Sequence, residues 1–372
     1  MKYCALIFCT LAVAAGATVN ASVFFIPNYY RHDIDPDLYA SLGWSTRKTF
    51  GLEYSNTKSA QSYDSGAWSS DLQTTSQSYY PFAFYRFDDG LNLQITAPQT
   101  RISRHGGPVL SESTTGQRTY AIGAGYEFAD VPIAVSFRYL HSNASKVEYN
   151  TLVIDSSCSS LPCPPFNPDF SSSSNEMQIG FGYRLPGNNY LGLALDQYVE
   201  NTRFDANVLT QRIGVGYGSV VGEKESPTAA LETGFFIANG SGTQTYSLVI
   251  QGLRNIQDWQ VTGVAQILRN DGPNPDYEYT AKLGCDYQFS VFYVGPEVSY
   301  FVANSPLASV ADVSETAFGL EAGLRLKPVV VFLSYGVSDR TDSFGNMGLS
   351  QAFFADTKTK GAPFSAGLYA GF

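Results

Sequence analysis

Charged residues and long apolar runs are both scarce in this 372-residue chain. Charged residues make up 15% of it and hydrophobic residues 44%, and the mean hydropathy is −0.10. Beyond the N-terminal segment the longest continuous apolar run, 329–333, is far shorter than the ~20 residues of a membrane-spanning helix, so a helical membrane bundle is excluded. Lys and Arg number 23 against 33 Asp and Glu, without basic clusters, which argues against nucleic acid as a partner.

Histidine is also rare, and the chain shows no pattern typical of an enzyme or a metal site. Of the three His, His32 and His105 lack a neighbouring Cys, His or carboxylate at metal-ligand spacing. His141 and Ser142 are adjacent in a predicted strand, so their side chains point to opposite faces and cannot form a nucleophile–base pair. We therefore expect no catalytic residues, no metal and no cofactor.

The first 21 residues predict a secretory signal peptide. One Lys precedes an apolar run, and small residues stand where a signal peptidase reads them, with Ala21 or alternatively Ala17 as the last residue removed. A membrane anchor is the competing interpretation, but the run is short for a spanning helix. The predicted organisation is a signal peptide at 1–21, a lead-in at 22–37 and one large domain at 38–372.

Five cysteines are present, and two of them predict a disulfide. Cys158 and Cys163 lie in a Ser- and Pro-rich stretch where an oxidising compartment would close a small loop. Metal binding is the alternative, but two thiols without a further ligand pair do not complete a zinc site. Cys285 lies on the apolar face of a predicted strand, which is typical of an unreactive thiol.

Aromatic residues and glycine are abundant, with 25 Tyr, 25 Phe and 34 Gly, and they favour strands and turns. Period-two alternation dominates the chain: in 318–327 the even positions are apolar, whereas the odd positions carry Gly, Glu, Arg and Lys. Such alternation indicates strands whose two faces meet different surroundings. It recurs at 120–128, 133–139, 177–185, 211–219, 228–238, 246–254, 259–269, 277–287 and 292–302.

The connections between these segments predict a closed barrel. Very short ones, near 88–90, 129–131, 186–188, 255–257 and 327–328, largely take turns with longer polar ones, near 57–75, 104–117, 155–174, 270–276, 303–315 and 341–361. This asymmetry is typical of transmembrane barrels. We predict an all-β fold, a transmembrane antiparallel up-and-down β-barrel of about 16 strands, or 14 if the weakly patterned 200–230 region is misread.

The alternation also assigns side chains to the lumen. A ring of such charges could set ion preference, or the same residues could form ion pairs that brace the wall. Glycines at 123, 125, 180, 182, 214, 216 and 218 are predicted to face inward, where they leave lumen space or, as the favoured role, allow strand curvature. Aromatic residues near strand ends are predicted to form an interfacial girdle on the outer face, with sugar stacking inside the lumen as the alternative. The lumen-facing candidates are Arg138, Arg184, Glu232, Lys282, Asp286, Glu297, Glu321 and Arg325.

A resemblance supports this interpretation. The signal peptide, the alternating strands and a last strand ending in Phe372 together resemble the outer-membrane β-barrels of Gram-negative bacteria. The resemblance implies integral outer-membrane localisation, contact with outer-membrane lipid and recognition of Phe372 by the barrel-assembly machinery. The size is similar to that of porins, which implies a homotrimer, although no porin constriction-loop motif is found.

Three functions follow as hypotheses. The leading one is a porin-like channel for passive diffusion of small hydrophilic solutes or ions. The alternative is a non-conducting surface barrel, an adhesin or structural protein whose loops at 57–75, 155–174 and 341–361 make the contacts. An exporter-type barrel is less favoured, because no long exported region precedes the predicted strands.

Overall fold

The computed structural model describes residues 49–64, 69–106, 111–151, 172–187, 189–202, 208–223, 226–240, 243–271, 276–304, 312–326, 329–343 and 356–371. These residues contain no helix of the length and apolarity that a membrane span requires. The predicted signal peptide, the lead-in, Cys158, Cys163 and Phe372 lie outside these ranges, so these predictions stay untested.

The described residues form one antiparallel sheet that closes on itself, because the first and last strands pair along their whole lengths. The segments are β1 (Thr49–Asp64), β2 (Ser69–Arg86), β3 (Leu91–Thr96), β4 (Gln99–Gly106), β5 (Ser111–Glu127), β6 (Ile133–Thr151), β7 (Ser172–Leu185), β8 (Asn189–Thr202), β9 (Val208–Glu223), β10 (Ser226–Gly240), β11 (Thr243–Ile256), β12 (Trp259–Asp271), β13 (Asp276–Phe289), β14 (Phe292–Asn304), β15 (Asp312–Leu326), β16 (Val329–Ser343) and β17 (Asp356–Gly371).

Two of these segments belong to one barrel strand. Both β3 and β4 pair with β2 on one side and β5 on the other, in a single continuous register. The interruption falls at Ala97 and Pro98, where proline has no N–H to give to the ladder. The barrel therefore has 16 strands, as predicted, and the 200–230 region contributes regular strands to it.

The turns divide the barrel into two ends. Connections of two to five residues join β2 to β3, β5 to β6, and the other pairs of that end; this is the short-turn end, where β1 also begins. The predicted turn at 255–257 is displaced to Gln257–Asp258, and a turn at Ser290–Val291 was not predicted. Gln257 and Ser290 adopt positive φ, of 53° and 57°, a conformation usually marked in sequence by Gly or Asn.

The opposite, long-loop end differs from the prediction. Much of the predicted loop at 57–75 is strand, since β1 continues to Asp64 and β2 begins at Ser69, and strand pairing likewise extends into 104–117 and 341–361. These extensions are rich in Ser and Thr on both faces. Beyond the bilayer both faces of a strand meet water, so apolar and polar residues no longer alternate. Backbone pairing continues there, but the sequence pattern that indicates a strand disappears.

The outer face carries a belt that fits a bilayer. On β13 the outward residues run from Tyr277 and Tyr279 through smaller apolar side chains, including Cys285, to Tyr287 and Phe289. The step from Tyr279 to Tyr287 covers about 26 Å along the strand at ~3.3 Å per residue, or about 20 Å along the membrane normal at a tilt of ~40°. That height is close to the ~25 Å apolar band of outer-membrane barrels.

Aromatic rings gather at the short-turn edge of this belt, as predicted. Trp259 contacts Tyr287 with ring centroids 4.8 Å apart, and Tyr126 contacts Phe128 at 4.9 Å. Such rings place an apolar body toward lipid and a polar tip toward the interface. Tyr183, also predicted to belong to the girdle, is exposed on the same face.

Candidate functional site

The inner face of the barrel is the candidate site, and the structure places all eight predicted lumen residues on it. Their positions follow from the register, because inward residues of neighbouring strands face each other across the ladder. Six of the eight form polar contacts that the sequence did not specify. The contacts of Glu232, Lys282, Glu297, Glu321 and Arg325 are described below, together with those of Arg184.

Two of the predicted residues pair with each other. Lys282 Nζ on β13 lies 3.0 Å from Glu297 Oε1 on β14. Arg184 pairs instead with Glu127, which lies two strands away along the chain order, at 3.3 Å. The alternative interpretation, in which inner-face charges form ion pairs between strands, therefore applies to these residues. Arg138 and Asp286 also point inward, and Asp286 is almost fully buried.

A second ion-pair group was missed by the sequence analysis. Arg212 on β9 lies 2.5 Å from Asp196 on β8 and 3.8 Å from Glu176 on β7, and its guanidinium stacks on the ring of Phe236, 5.1 Å from the centroid. These residues share the inward parity of their strands. The parity predicted for β9, with Gly214, Gly216 and Gly218 inward, already covers Arg212, whereas the segment of β8 was not among the predicted strands, so Asp196 was assigned to no face.

Aromatic side chains form a thick patch on part of the inner face, which we call the aromatic wall. It consists of Phe82 and Phe84 on β2, Tyr293 on β14 and Phe332 on β16, all buried, near the short-turn end. Apolar side chains are unexpected on the face of a water-filled lumen, because their exposure to water is unfavourable. These four pack against one another, which removes them from water. The patch therefore narrows this side of the barrel.

Glycines make room for the rings of the aromatic wall. A Cβ atom at Gly323 on β15 would overlap the ring of Tyr293, and one at Gly367 on β17 would overlap that of Phe332. Each ring thus occupies the space above a glycine of the next strand. Gly323 and Gly367 were not among the glycines named in the sequence analysis, and their observed role is to accommodate a neighbouring side chain.

Polar groups hold the aromatic wall at its edge. The hydroxyl of Tyr293 donates a hydrogen bond of 2.9 Å to Glu321 Oε1, and the guanidinium of Arg325 lies 4.3 Å from the centroid of the same ring. Arg325 also donates to the side-chain oxygen of Gln288. Two predicted lumen residues, Glu321 and Arg325, thus act on one aromatic ring that the sequence analysis did not select.

The opposite side of the inner face is lined by glycine. Gly182, Gly192, Gly216 and Gly234 stand directly opposite one another on four successive strands, β7 to β10. We call this row and its neighbours Gly180 and Gly214 the glycine wall. In the 16-strand ring β8 lies eight strands from β16 in either direction, so the glycine wall faces the aromatic wall across the barrel.

The charge of the inner face is unbalanced. Among residues whose side chains the structure describes, inward acidic groups outnumber inward basic groups almost two to one, and several basic groups are already held in ion pairs. The acidic ones are Glu53, Glu127, Glu176, Asp196, Glu200, Glu232, Asp276, Glu278, Asp286, Glu297, Glu315, Glu321 and Asp342, and the basic ones are Arg104, Arg138, Arg184, Arg212, Lys282, Arg325 and Arg340.

The His141–Ser142 pair behaves as the sequence predicted. Ser142 faces inward, where its hydroxyl lies 3.0 Å from both Gln117 Nε2 and Thr119 Oγ1. His141 faces outward, where its Nδ1 lies 2.8 Å from Asn175 Oδ1. The two side chains lie on opposite faces of β6 and do not contact each other.

Comparison with known proteins gives the fold class. No protein-family model and no curated protein sequence matches this chain. The TodX deltaS2S3 mutant monoaromatic hydrocarbon channel is 11% identical, with a TM-score of 0.52 over 90% of this chain and 92% of that one. A FadL homologue of Pseudomonas aeruginosa is 9% identical over 88% and 91% of the two chains, with a TM-score of 0.48.

A porin is among the similar structures as well. The BenF-like porin from Pseudomonas fluorescens Pf-5 is 10% identical, with a TM-score of 0.41 over 88% of this chain and 99% of that one. Identities this low establish a shared fold only. The closed sheet and the aromatic-edged apolar belt, together with the fold shared with the TodX mutant, define the chain as an integral outer-membrane β-barrel protein.

Proposed function

We propose that this protein is an outer-membrane channel through which small hydrophilic solutes and ions diffuse. The observation that carries the proposal is the inner face: a closed barrel of 16 strands with an apolar outside and a charged inside. Sixteen strands enclose more volume than wall side chains fill, whereas eight do not. Burying charged side chains away from water costs free energy, so a charged lining indicates a lumen that holds water or polar solute.

The acidic excess of that lining specifies the preferred charge of the solute. Acidic groups in a narrow lumen raise the local concentration of cations and lower that of anions. We therefore expect cations and positively charged solutes to pass more readily than anions. The TodX mutant that shares the fold is described as a monoaromatic hydrocarbon channel, which supports a channel role and leaves the class of solute open.

Single-channel recording of the refolded mature protein in a planar lipid bilayer tests the proposal. Stepwise, reproducible openings in potassium chloride are expected. The folded state is checked independently by the shift in gel mobility between unheated and boiled samples in detergent. A correctly folded barrel that never conducts would overturn the channel function.

The extended strands favour one second candidate, a surface-binding role. β2 and β6 have 18 and 19 residues, well beyond the ~9–11 needed to cross the bilayer, so these strands extend above the membrane on the long-loop side. These strand extensions could bind a partner whether or not the barrel conducts. The absence of enzymatic activity, recognition by the assembly machinery and a trimeric state remain predictions.

A further inference from the structure

A carboxylate and an amide form an unusual polar pair within the inner face, at the edge of the glycine wall. Glu232 on β10 and Gln251 on β11 face each other directly in the register, and Gln251 Nε2 donates a hydrogen bond to Glu232 Oε2. Glu232 is fully buried, and Gln251 is 2% exposed. Both belong to the largest fully buried side chains of the described residues.

The surroundings of this pair are apolar or without side chains. Val249 and Leu253 flank Gln251 on β11, Ala230 precedes Glu232 on β10, and all three are buried. On its other side Glu232 faces Gly218 of β9. No basic side chain lies at the directly opposed or adjacent inward positions, in contrast to Glu127, Asp196 and Glu297, each of which pairs with Arg or Lys.

Two acceptor atoms of the pair lack donors. Among the described residues, no hydrogen-bond donor reaches Glu232 Oε1 or Gln251 Oε1, and both atoms are buried. A buried acceptor without a donor costs free energy, and a buried carboxylate with one neutral partner costs more. Two acceptor oxygens on directly opposed residues therefore call for a group that brings both positive charge and several N–H donors.

We propose that Glu232 and Gln251 form a binding site for the ammonium group of a cationic solute in the lumen. This inference rests on the proposed channel function and names its preferred substrate class. An ammonium group offers three donors and one positive charge, which match the two acceptor oxygens and the carboxylate. Its inward neighbours on β9 and β10 include Gly216, Gly218 and Gly234, which carry no side chain; because Glu232 is fully buried, an ammonium group from the lumen reaches it by displacing the side chains packed over the pair.

The test uses the refolded mature protein in planar bilayers with methylammonium chloride as the probe. In wild type, conductance is expected to saturate as methylammonium concentration rises, because the ion occupies a site during passage. E232Q keeps the size of the side chain and removes its charge, so the concentration for half-saturation should rise about tenfold, the equivalent of one lost charge-assisted hydrogen bond.

A matched variant separates the site from general loss of acidic charge. E278Q removes the same charge from another inward position, on β13 near the long-loop end, and should leave the saturation of the current nearly unchanged. If E232Q saturates like wild type, or if E278Q weakens saturation equally, the ammonium site is wrong while the channel function stands.

A second measurement keeps the site testable if the barrel does not conduct. Methylammonium chloride at 100 mM should raise the thermal unfolding temperature of the detergent-solubilised wild type relative to sodium chloride at the same concentration, and should not do so for E232Q. Equal temperatures in both salts would contradict the site. If the barrel does not conduct but methylammonium chloride still raises the unfolding temperature of the wild type, the channel function is wrong and the ammonium site stands.

Discussion

The aromatic wall and the glycine wall have similar lipid-facing surfaces and different inner faces. Leu333 beside the aromatic wall and Leu193 beside the glycine wall both face lipid, and both are exposed on the outer surface. On the inner face the first wall presents four large rings, whereas the second presents a row of glycines. The bilayer thus constrains one face of every strand, and the other face is free to shape the lumen.

The difference also separates two kinds of inner-face glycine. Gly323 and Gly367 lie under rings that belong to neighbouring strands, so their lack of a side chain is required for packing. Gly319, on the same strand as Gly323, meets nothing closer than 3.8 Å. Inner-face glycines on one side of the barrel therefore differ in whether a neighbouring ring occupies the space above them.

The largest expected effect comes from truncating the aromatic wall. Phe332→Ala removes a buried ring and leaves a cavity over Gly367, so the free energy of unfolding should fall by about 3 kcal/mol. Leu333→Ala changes the next residue of β16, which faces lipid, and should cost less than ~1 kcal/mol because lipid chains replace the lost contacts. Urea unfolding in lipid vesicles, followed by tryptophan fluorescence, measures both. Equal losses would contradict a packed inner wall.

The next effect tests the glycines. Gly323→Ala places a Cβ against the ring of Tyr293 and should lower the free energy of unfolding by about 1–3 kcal/mol, the usual cost of overpacking. Gly319→Ala, at an inward site of the same strand with open surroundings, should change it by no more than ~0.5 kcal/mol. The same unfolding assay compares the two, and a neutral Gly323→Ala would show that the ring does not lie over this glycine.

A smaller effect is expected from the polar edge of the aromatic wall. Tyr293→Phe removes the hydroxyl that donates to Glu321 and should cost about 1 kcal/mol. Tyr335→Phe is the control, because Tyr335 lies on the outer face and is largely exposed. If the two variants unfold at the same urea concentration, the Tyr293–Glu321 hydrogen bond does not contribute to stability.

The smallest effect concerns the Lys282–Glu297 ion pair. Both side chains remain about a quarter exposed, so water and salt screen their attraction. A double-mutant cycle with Lys282→Gln and Glu297→Gln should give a coupling below ~1 kcal/mol that weakens further in 1 M salt. A larger, salt-independent coupling would place the pair in a drier environment than its exposure indicates.

The outer face of this barrel was predictable from sequence, and the reason is physical. Lipid requires an apolar residue at every second position, so the pattern at 318–327 fixes both the existence of β15 and the direction of its side chains. The inward direction of all eight predicted charges followed from this rule, and the strand number followed from the connections between the alternating segments. Their partners did not, because period two assigns a face and says nothing about which neighbouring strand a side chain reaches.

The aromatic wall escaped prediction for a related reason. Where the inner face is also apolar, alternation vanishes, as in the aromatic run at 79–85 and the apolar run at 329–333. These interruptions contain Phe82, Phe84 and Phe332. In a chain otherwise governed by alternation, the segments that break it are therefore the signal for lumen-filling side chains.

The strand extensions and one turn were missed because they lack a distinctive composition. Beyond the membrane, Ser- and Thr-rich strands such as the end of β1 resemble loops in sequence although they remain paired. The turn at Ser290–Val291 contains neither Gly nor Asn, and Ser290 takes positive φ under the constraint of a tight hairpin. The strand extensions and this turn are both determined by register with the neighbouring strands, and the sequence alone does not indicate that register.

The sign of the reversal potential in a potassium chloride gradient tests the central claim most directly. The claim is that solutes pass through a lumen whose lining carries an excess of acidic groups. In a planar bilayer with a tenfold gradient across the wild-type channel, the potential should have the sign given by potassium crossing faster than chloride. A potential of the opposite sign, or one of zero from an open channel, would contradict the account.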